Sequence, residues 1–406
     1  MKLKHILIIV ALCFSQTAKA QLSESATISI LTCGPGDDFY TTFGHSAIRV
    51  CDTAQCDTAQ KEYLRGTRNG FSQTKYDTII IPRDYVYNYG TFDFDTPNFY
   101  WKFAKGKLEY CLSKAHYTDF LNTYDYEGRY VIEQPLDLTQ DEKNKIYEAL
   151  EFNYKPENRN YLYDFFIDNC ATRIRDIINN NLIDRELFIE HTPENVQSYR
   201  DVLYGFTEER LLWWRLGIDL LLGSRCDKVC TNLEQMFSPI DMMIQFDTTH
   251  LSDHSGKLAN KKIEVIKENR TPQARSVSPT LIFWTICIAT ITLTIVSWKK
   301  RWCLTWFDRI LYGIVGAISL FLLFMWFGTD HYCTKNNWNV LWASPLFVFL
   351  SITARKPNRW IILVQLLMVS AVIAGQWFIP QQLNSAIIPI AVTLAIRLID
   401  NLRKTH

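Results

Sequence analysis

Five apolar runs in the last third of the chain constrain the fold most, at residues 281–298, 310–328, 340–353, 360–379 and 386–399. The first, second and fourth are long enough to cross a bilayer as helices. The third and fifth are short, and Pro389 interrupts the fifth. Charge sets their direction. Lys299, Lys300, Arg301 and Arg309 follow the first run, and Arg355, Lys356 and Arg359 separate the third from the fourth. Arg397, Arg403 and Lys404 close the chain, whereas the opposite connections carry only Lys335 and no cation across residues 380–385. This alternation predicts an all-α domain of five transmembrane helices at 280–406, with a cytoplasmic C-terminus and an exported N-terminal portion.

The N-terminus agrees with that direction. Lys2 and Lys4 precede an apolar core at 5–14, and Ala18-Lys19-Ala20 is a small-x-small cleavage site, so residues 1–20 read as a signal peptide. Together these signals predict a multi-pass membrane protein whose N-terminal domain lies in an exported, oxidising compartment. A net charge of +1 over 406 residues leaves no footprint for nucleic acid.

Residues 21–182 predict a compact α+β periplasmic domain. Strands are expected at 27–32, 45–50, 77–81, 84–89, 107–112 and 129–134. Thr139-Gln140-Asp141-Glu142 fits a capping box for a helix to about residue 152. Residues 183–279 read as a helical extension and linker, partly at the membrane interface. An apolar, Trp213- and Trp214-bearing helix at 206–223 suits that interface, and the polar stretch 257–278 reads as the linker.

The chemistry centres on Tyr163-Asp164-Phe165-Phe166-Ile167-Asp168-Asn169-Cys170. Asp168 and Asn169 are helix-capping residues, so Cys170 opens a helix where free N–H groups and the dipole favour a thiolate. Such a nucleophile needs a base. His45, at a strand start behind Gly44, is the strongest candidate. His116, His191, His250 and His254 lie in loop-like or polar surroundings, and His331 belongs to the membrane module. The exported portion holds seven cysteines before the membrane, an odd count that leaves a thiol free. Cys51 with Cys56, Cys226 with Cys230, and Cys33 with Cys111 are possible pairs, and Cys333 could make the number even. Asp247, His250, Asp253 and His254 have helix-compatible metal spacing but stand in a turn-rich stretch, and no metal site is assigned.

Gly44-His45-Ser46 at a strand start, followed much later by Asp168-Asn169-Cys170 at a helix start, resembles the circularly permuted papain-like superfamily that includes lecithin retinol acyltransferase. There the histidine strand precedes the cysteine helix. The nearer resemblance is to the Bacteroidetes-type family called Lnb, the lipoprotein N-acyltransferases. It is carried by Leu31-Thr32-Cys33-Gly34-Pro35-Gly36-Asp37, Phe43-Gly44-His45-Ser46-Ala47-Ile48-Arg49-Val50, Asn88-Tyr89-Gly90-Thr91-Phe92-Asp93-Phe94-Asp95, residues 161–176 and Gly217-Ile218-Asp219-Leu220-Leu221-Leu222-Gly223-Ser224-Arg225.

The resemblance implies a permuted papain-like fold and transfer of an acyl chain from a phospholipid, through a thioester on Cys170, to the free α-amine of a diacylglyceryl-modified lipoprotein. His45 would shuttle the protons, and no cofactor is needed. It implies a polar residue on the next strand to orient the imidazole, for which Asn88 is preferred over Asp77 and Asp93. It also implies a polar residue shortly before the cysteine, Tyr163 or Asp164, to support the oxyanion beside the Cys170 N–H and the Asn169 cap. Arg173 could meet lipid phosphate, and Trp213 and Trp214 could meet lipid. A membrane-bound cysteine lipid esterase or peptidase using the same pair, and a non-catalytic receptor, are the alternatives.

Overall fold

The computed structural model describes residues 21–66, 72–188, 197–207, 211–248, 250–252, 256–259, 261–270, 276–375 and 377–405. The expected signal peptide, His191, Asp253, His254 and part of the predicted 206–223 helix lie outside these residues.

The chain begins with β1 (Thr27–Cys33), β2 (His45–Gly66), β3 (Ser72–Thr91), α1 (Phe99–Lys105), β4 (Glu109–His116), α2 (Tyr117–Tyr126) and β5 (Val131–Pro135). It continues through α3 (Gln140–Tyr154), β6 (Asn160–Leu162), α4 (Cys170–Asn179), β7 (Leu187–Phe188), α5 (Tyr199–Phe206) and α6 (Leu212–Leu221). Then come α7 (Asn232–Gln235), α8 (Pro239–Thr248), β8 (His250–Leu251) and β9 (Ile263–Ile266). Seven strands form one antiparallel sheet in the order β6-β4-β3-β2-β1-β5-β9, while β7 pairs with β8.

Local signals explain most of these elements. Thr139 and Glu142 close a reciprocal capping box at the start of α3. In β1 every residue after Thr27 is buried, because helices cover both faces of the central sheet. Ile28, Ile30, Ile48, Val50 and Tyr87 pack against Ile146 and Leu150 of α3, Ile174 and Ile178 of α4, and Met242 and Phe246 of α8. On the opposite face Leu31, Cys33, Ala47 and Val86 meet Phe120 and Tyr124 of α2.

Four expectations change. The strands expected at 77–81 and 84–89 are one, β3, because it pairs with β2 far beyond a bulge between Asp52 and Cys56. The helix expected at 206–223 divides, with Phe206 ending α5 and Leu212 starting α6. The expected linker at 257–278 contains β9, which adds to the free edge of β5. Residues after 182 also supply Met236, Met242, Phe246, Leu251 and Leu258 to the main core, so the sheet domain reaches well past that boundary. Among the described residues the structure contains no disulfide bond. Cys33 and Cys111 cannot pair, since β2 and β3 separate their strands at about 4.8 Å per step.

The C-terminal region is helical: α9 (Pro279–Lys300), α10 (Thr305–Phe327), α11 (Leu346–Ile352), α12 (Arg359–Gly375) and α13 (Ile387–Arg403). Two of these, α9 and α10, are long and apolar enough to cross a membrane. Pro389 does not interrupt the last helix. It sits in the first turn of α13, where its missing N–H breaks no helical bond. Arg397 is not an orienting surface charge either. It is fully buried, with Nε and Nη2 donating to Asp308 at 2.6 and 2.8 Å, Nη1 donating to Thr294 at 2.8 Å, and Asp400 at 2.9 Å. A cation in apolar surroundings persists only when paired in this way.

Candidate active site

Cys170 is the first residue of α4, and Asn169 is the cap that holds it there. Asn169 Oδ1 accepts from the Thr172 N–H at 2.9 Å, and its own N–H donates to Thr172 Oγ1 at 2.8 Å. Its Nδ2 donates to the Phe165 and Phe237 carbonyls at 2.7 and 2.8 Å. The cap therefore ties α4 to the segment before it and to the approach to α8. The thiol is buried, and burial raises its pKa. The N–H groups of Ser46, Ala171 and Cys170 itself bond to the sulfur and oppose that shift without cancelling it. The thiolate expected from the helix start is outweighed by desolvation.

The Ser46 contact matters for a second reason: it sets the sulfur against the start of β2, one residue from His45. Gly44 makes the approach possible. Its φ is +75°, and a Cβ there would lie 2.8 Å from the Cys33 carbonyl oxygen. His45 is partly buried and its Nε2 lies 3.3 Å from Asn88 Oδ1. Desolvation, only partly offset by that bond, lowers the His45 pKa to about 4. Just beyond Asn88 the β3–β4 pairing slips between Asn88 and Thr91. Gly90 takes a φ of +90° within this bulge, where a Cβ would meet Cys170 Cβ at 3.8 Å.

Cys170 and His45 open into one cleft of about 250 Å³. Its walls are mostly apolar: Phe92, Phe103, Leu108, Tyr110, Tyr163 and Phe165. His331, on the connection after α10, completes the lining. Its Nε2 lies 3.1 Å from the Phe103 carbonyl oxygen, and the Asp330 N–H donates to the Lys105 carbonyl at 2.9 Å. Beside it Trp101 of α1 stacks on Phe324 of α10, with ring centroids 5.6 Å apart. The cleft is thus closed on one side by the helical C-terminal region, and three of α1's aromatics, Tyr100, Trp101 and Phe103, are exposed.

The other candidates divide. Tyr163 lines the cleft, stacked on Tyr110 at 4.4 Å, and burial holds its phenol well above the ordinary tyrosine range. Asp164 does not line it. Its Oδ1 accepts from the Phe166 and Ile167 N–H groups and shapes the turn before the cap. Arg173 is committed to Asp168, at 2.6 and 2.8 Å, and covers the Tyr161 ring at 3.5 Å. Trp213 and Trp214 lie on α6 away from the cleft, Trp213 donating from Nε1 to the Val277 carbonyl. Asp77 pairs in backbone register with Lys61 on the β2–β3 hairpin, well along β3 from Asn88, and Asp93 Oδ1 accepts from the Asp95 N–H. Asp247 of the metal-like spacing is held by Gln134 Nε2 and Lys262.

His331 escaped sequence reasoning because it belongs to the membrane module in the chain and reaches the cleft only through tertiary contact. The Ser46 N–H escaped because backbone donors leave no mark on composition.

Two family models match the chain. The model described as the Lnb N-terminal periplasmic domain covers residues 14–204, and that described as the Lnb transmembrane domain covers residues 271–406. No curated protein and no solved structure matches significantly.

Proposed function

The chain belongs to the Lnb family, with a periplasmic N-terminal domain and a transmembrane domain, and from that premise we propose that it is a lipoprotein N-acyltransferase of the bacterial inner membrane. The observation that carries the reading is the cleft itself. A helix-capped thiol and an amide-backed imidazole share an apolar space whose wall is completed from the membrane side. A peptidase would need a polar groove, and a receptor has no use for that pair. The order of histidine strand before cysteine helix is that of a permuted papain-like domain. The five C-terminal helices are read as five membrane segments, because the basic ends at Lys299–Arg301, Arg355–Arg359 and Arg403–Lys404 fall on one side and the domain-contacting connections on the other.

In the proposed reaction His45 Nε2 donates to Asn88 Oδ1, which leaves Nδ1 as the base. Nδ1 takes the Cys170 proton as the sulfur attacks a phospholipid ester carbonyl. The backbone N–H groups around the sulfur, those of Ser46, Ala171 and Cys170, are the donors assigned to the developing oxyanion. The carbon–oxygen bond breaks, the lysolipid leaves with the proton from His45, and a thioester remains on Cys170. The free α-amine of a diacylglyceryl-modified lipoprotein then attacks the thioester, its proton passes through His45 to the departing thiolate, and an amide forms. Both steps use one base. The aromatic walls receive the acyl chain and limit competing water.

Mass spectrometry of lipoprotein N-terminal peptides tests this. Cells carrying the Cys170→Ala protein as their only copy should lack the amide-linked chain, and the wild-type enzyme should carry a hydroxylamine-sensitive acyl group on Cys170. Unchanged N-acylation in the mutant removes the transferase reading. Free fatty acid released without N-acylation assigns a lipid esterase instead.

A further inference from the structure

One cluster of thiols takes no part in this chemistry. Cys226, Cys230 and Cys333 lie buried among Phe166, Tyr199, Leu222 and Phe237, where the sheet domain's later segment meets the connection after α10. Two backbone bonds hold these segments in register. The Gly223 N–H donates to the Cys333 carbonyl at 2.8 Å, and the Ser224 N–H to the Asn336 carbonyl at 3.1 Å. The approach leaves no slack, since a Cβ on Gly223 would lie 1.9 Å from the Lys335 carbonyl oxygen. Arg200 fixes the other side of the turn through Asp227 and the Leu222 and Gly223 carbonyls. Within this frame the Cys226 and Cys333 side chains are neighbours in the buried cluster, while the Cys230 sulfur turns to the Lys228 carbonyl at 4.0 Å.

We propose that Cys226 and Cys333 form a disulfide that staples the periplasmic domain to the membrane domain. The compartment favours it, because the family's N-terminal domain is periplasmic and thiols in contact there oxidise. The bond forms before the cluster closes. The two thiols give up two protons and two electrons to the S–S bond of a disulfide donor, which leaves as two thiols. Once closed, Cys226 is 0% and Cys333 2% exposed, so the bond is sheltered from reductants. The staple also has a consequence for the cleft. Cys333 stands two residues from His331, so fixing it holds the His331 turn against Phe103. Cys170 is left outside the pairing as a thiol.

Full-length protein extracted in detergent, denatured in N-ethylmaleimide without reductant and digested, decides the matter. The expected result is one linked species joining the Cys226 and Cys333 peptides, which separates into two thiol peptides on reduction. Maleimide on both peptides, or a Cys230–Cys333 link, overturns the assignment. In the Cys333→Ala protein Cys226 should become maleimide-reactive, and the apparent melting temperature should fall by several degrees. A Cys226 that stays blocked in that variant also overturns the assignment. If the variant does not accumulate, the wild-type map alone still gives the answer.

Discussion

At the scale of the residue, Cys170 and His45 are both pushed towards neutrality. Burial raises the thiol and lowers the imidazole. The resting pair is therefore thiol and free base, and in the proposed reaction the proton moves only when the sulfur attacks. This sets the pH dependence. His45 is able to accept a proton down to about pH 4, so the acid limb of kcat/KM should lie well below the ordinary histidine value of 6.5. A limb near 6.5 would contradict a desolvated base. Stability follows the same sign. The unfolded chain binds a proton that the folded one resists, so this contribution is complete above about pH 6.5 and is lost as pH falls towards 4. Replacing His45 by Ala should cost ~100-fold or more in acyl transfer. Asn88→Ala should cost less and act through ring orientation, lowering kcat more than it raises KM, as steady-state kinetics on a vesicle-borne donor would show.

At the scale of the element, the start of α4 is where a local signal and a long-range one coincide. The cap at Asn169 is legible in the sequence because Asp-Asn before an apolar-periodic run has few other meanings. Its second job is not legible, since the Phe165 and Phe237 carbonyls come from loops that only the fold brings near. Asn169→Ala removes the cap and leaves two carbonyls without donors. The expected loss is about 2 kcal/mol or more, read by chemical denaturation. Asn169→Asp keeps the cap but not the donors and should fall between. Gly44→Ala tests the neighbouring element: φ of +75° and contact with the Cys33 carbonyl oppose any Cβ, so it should lower both stability and activity. The same contrast covers the sheet. The α3 capping box is a four-residue pattern, whereas β9 is a short polar-flanked strand whose existence depends on the free edge of β5.

At the scale of the molecule, the cleft is composite, and this explains what sequence patterning could not reach. Hydropathy separates the two modules correctly but assigns His331 to one of them and Cys170 to the other, although both line one space. It also counts Arg397 as an orienting charge when that side chain neutralises Asp308 inside the helical region. Removing Arg397 leaves all the orienting charges that the proposed topology requires: Lys299, Lys300 and Arg301 between α9 and α10, Arg355, Lys356 and Arg359 between α11 and α12, and Arg403 and Lys404 at the end. The connections on the other side hold the periplasmic domain, Asn337 and Gln381 donating to carbonyls at the end of α6. Two exposed thiols stand on opposite sides of this arrangement: Cys56 on the β2–β3 hairpin and Cys303 between α9 and α10. In intact spheroplasts a membrane-impermeant maleimide should label Cys56 and spare Cys303, and permeabilisation should expose Cys303. Labelling of both before permeabilisation would put the α9–α10 connection on the same side as the sheet domain and overturn the proposed topology.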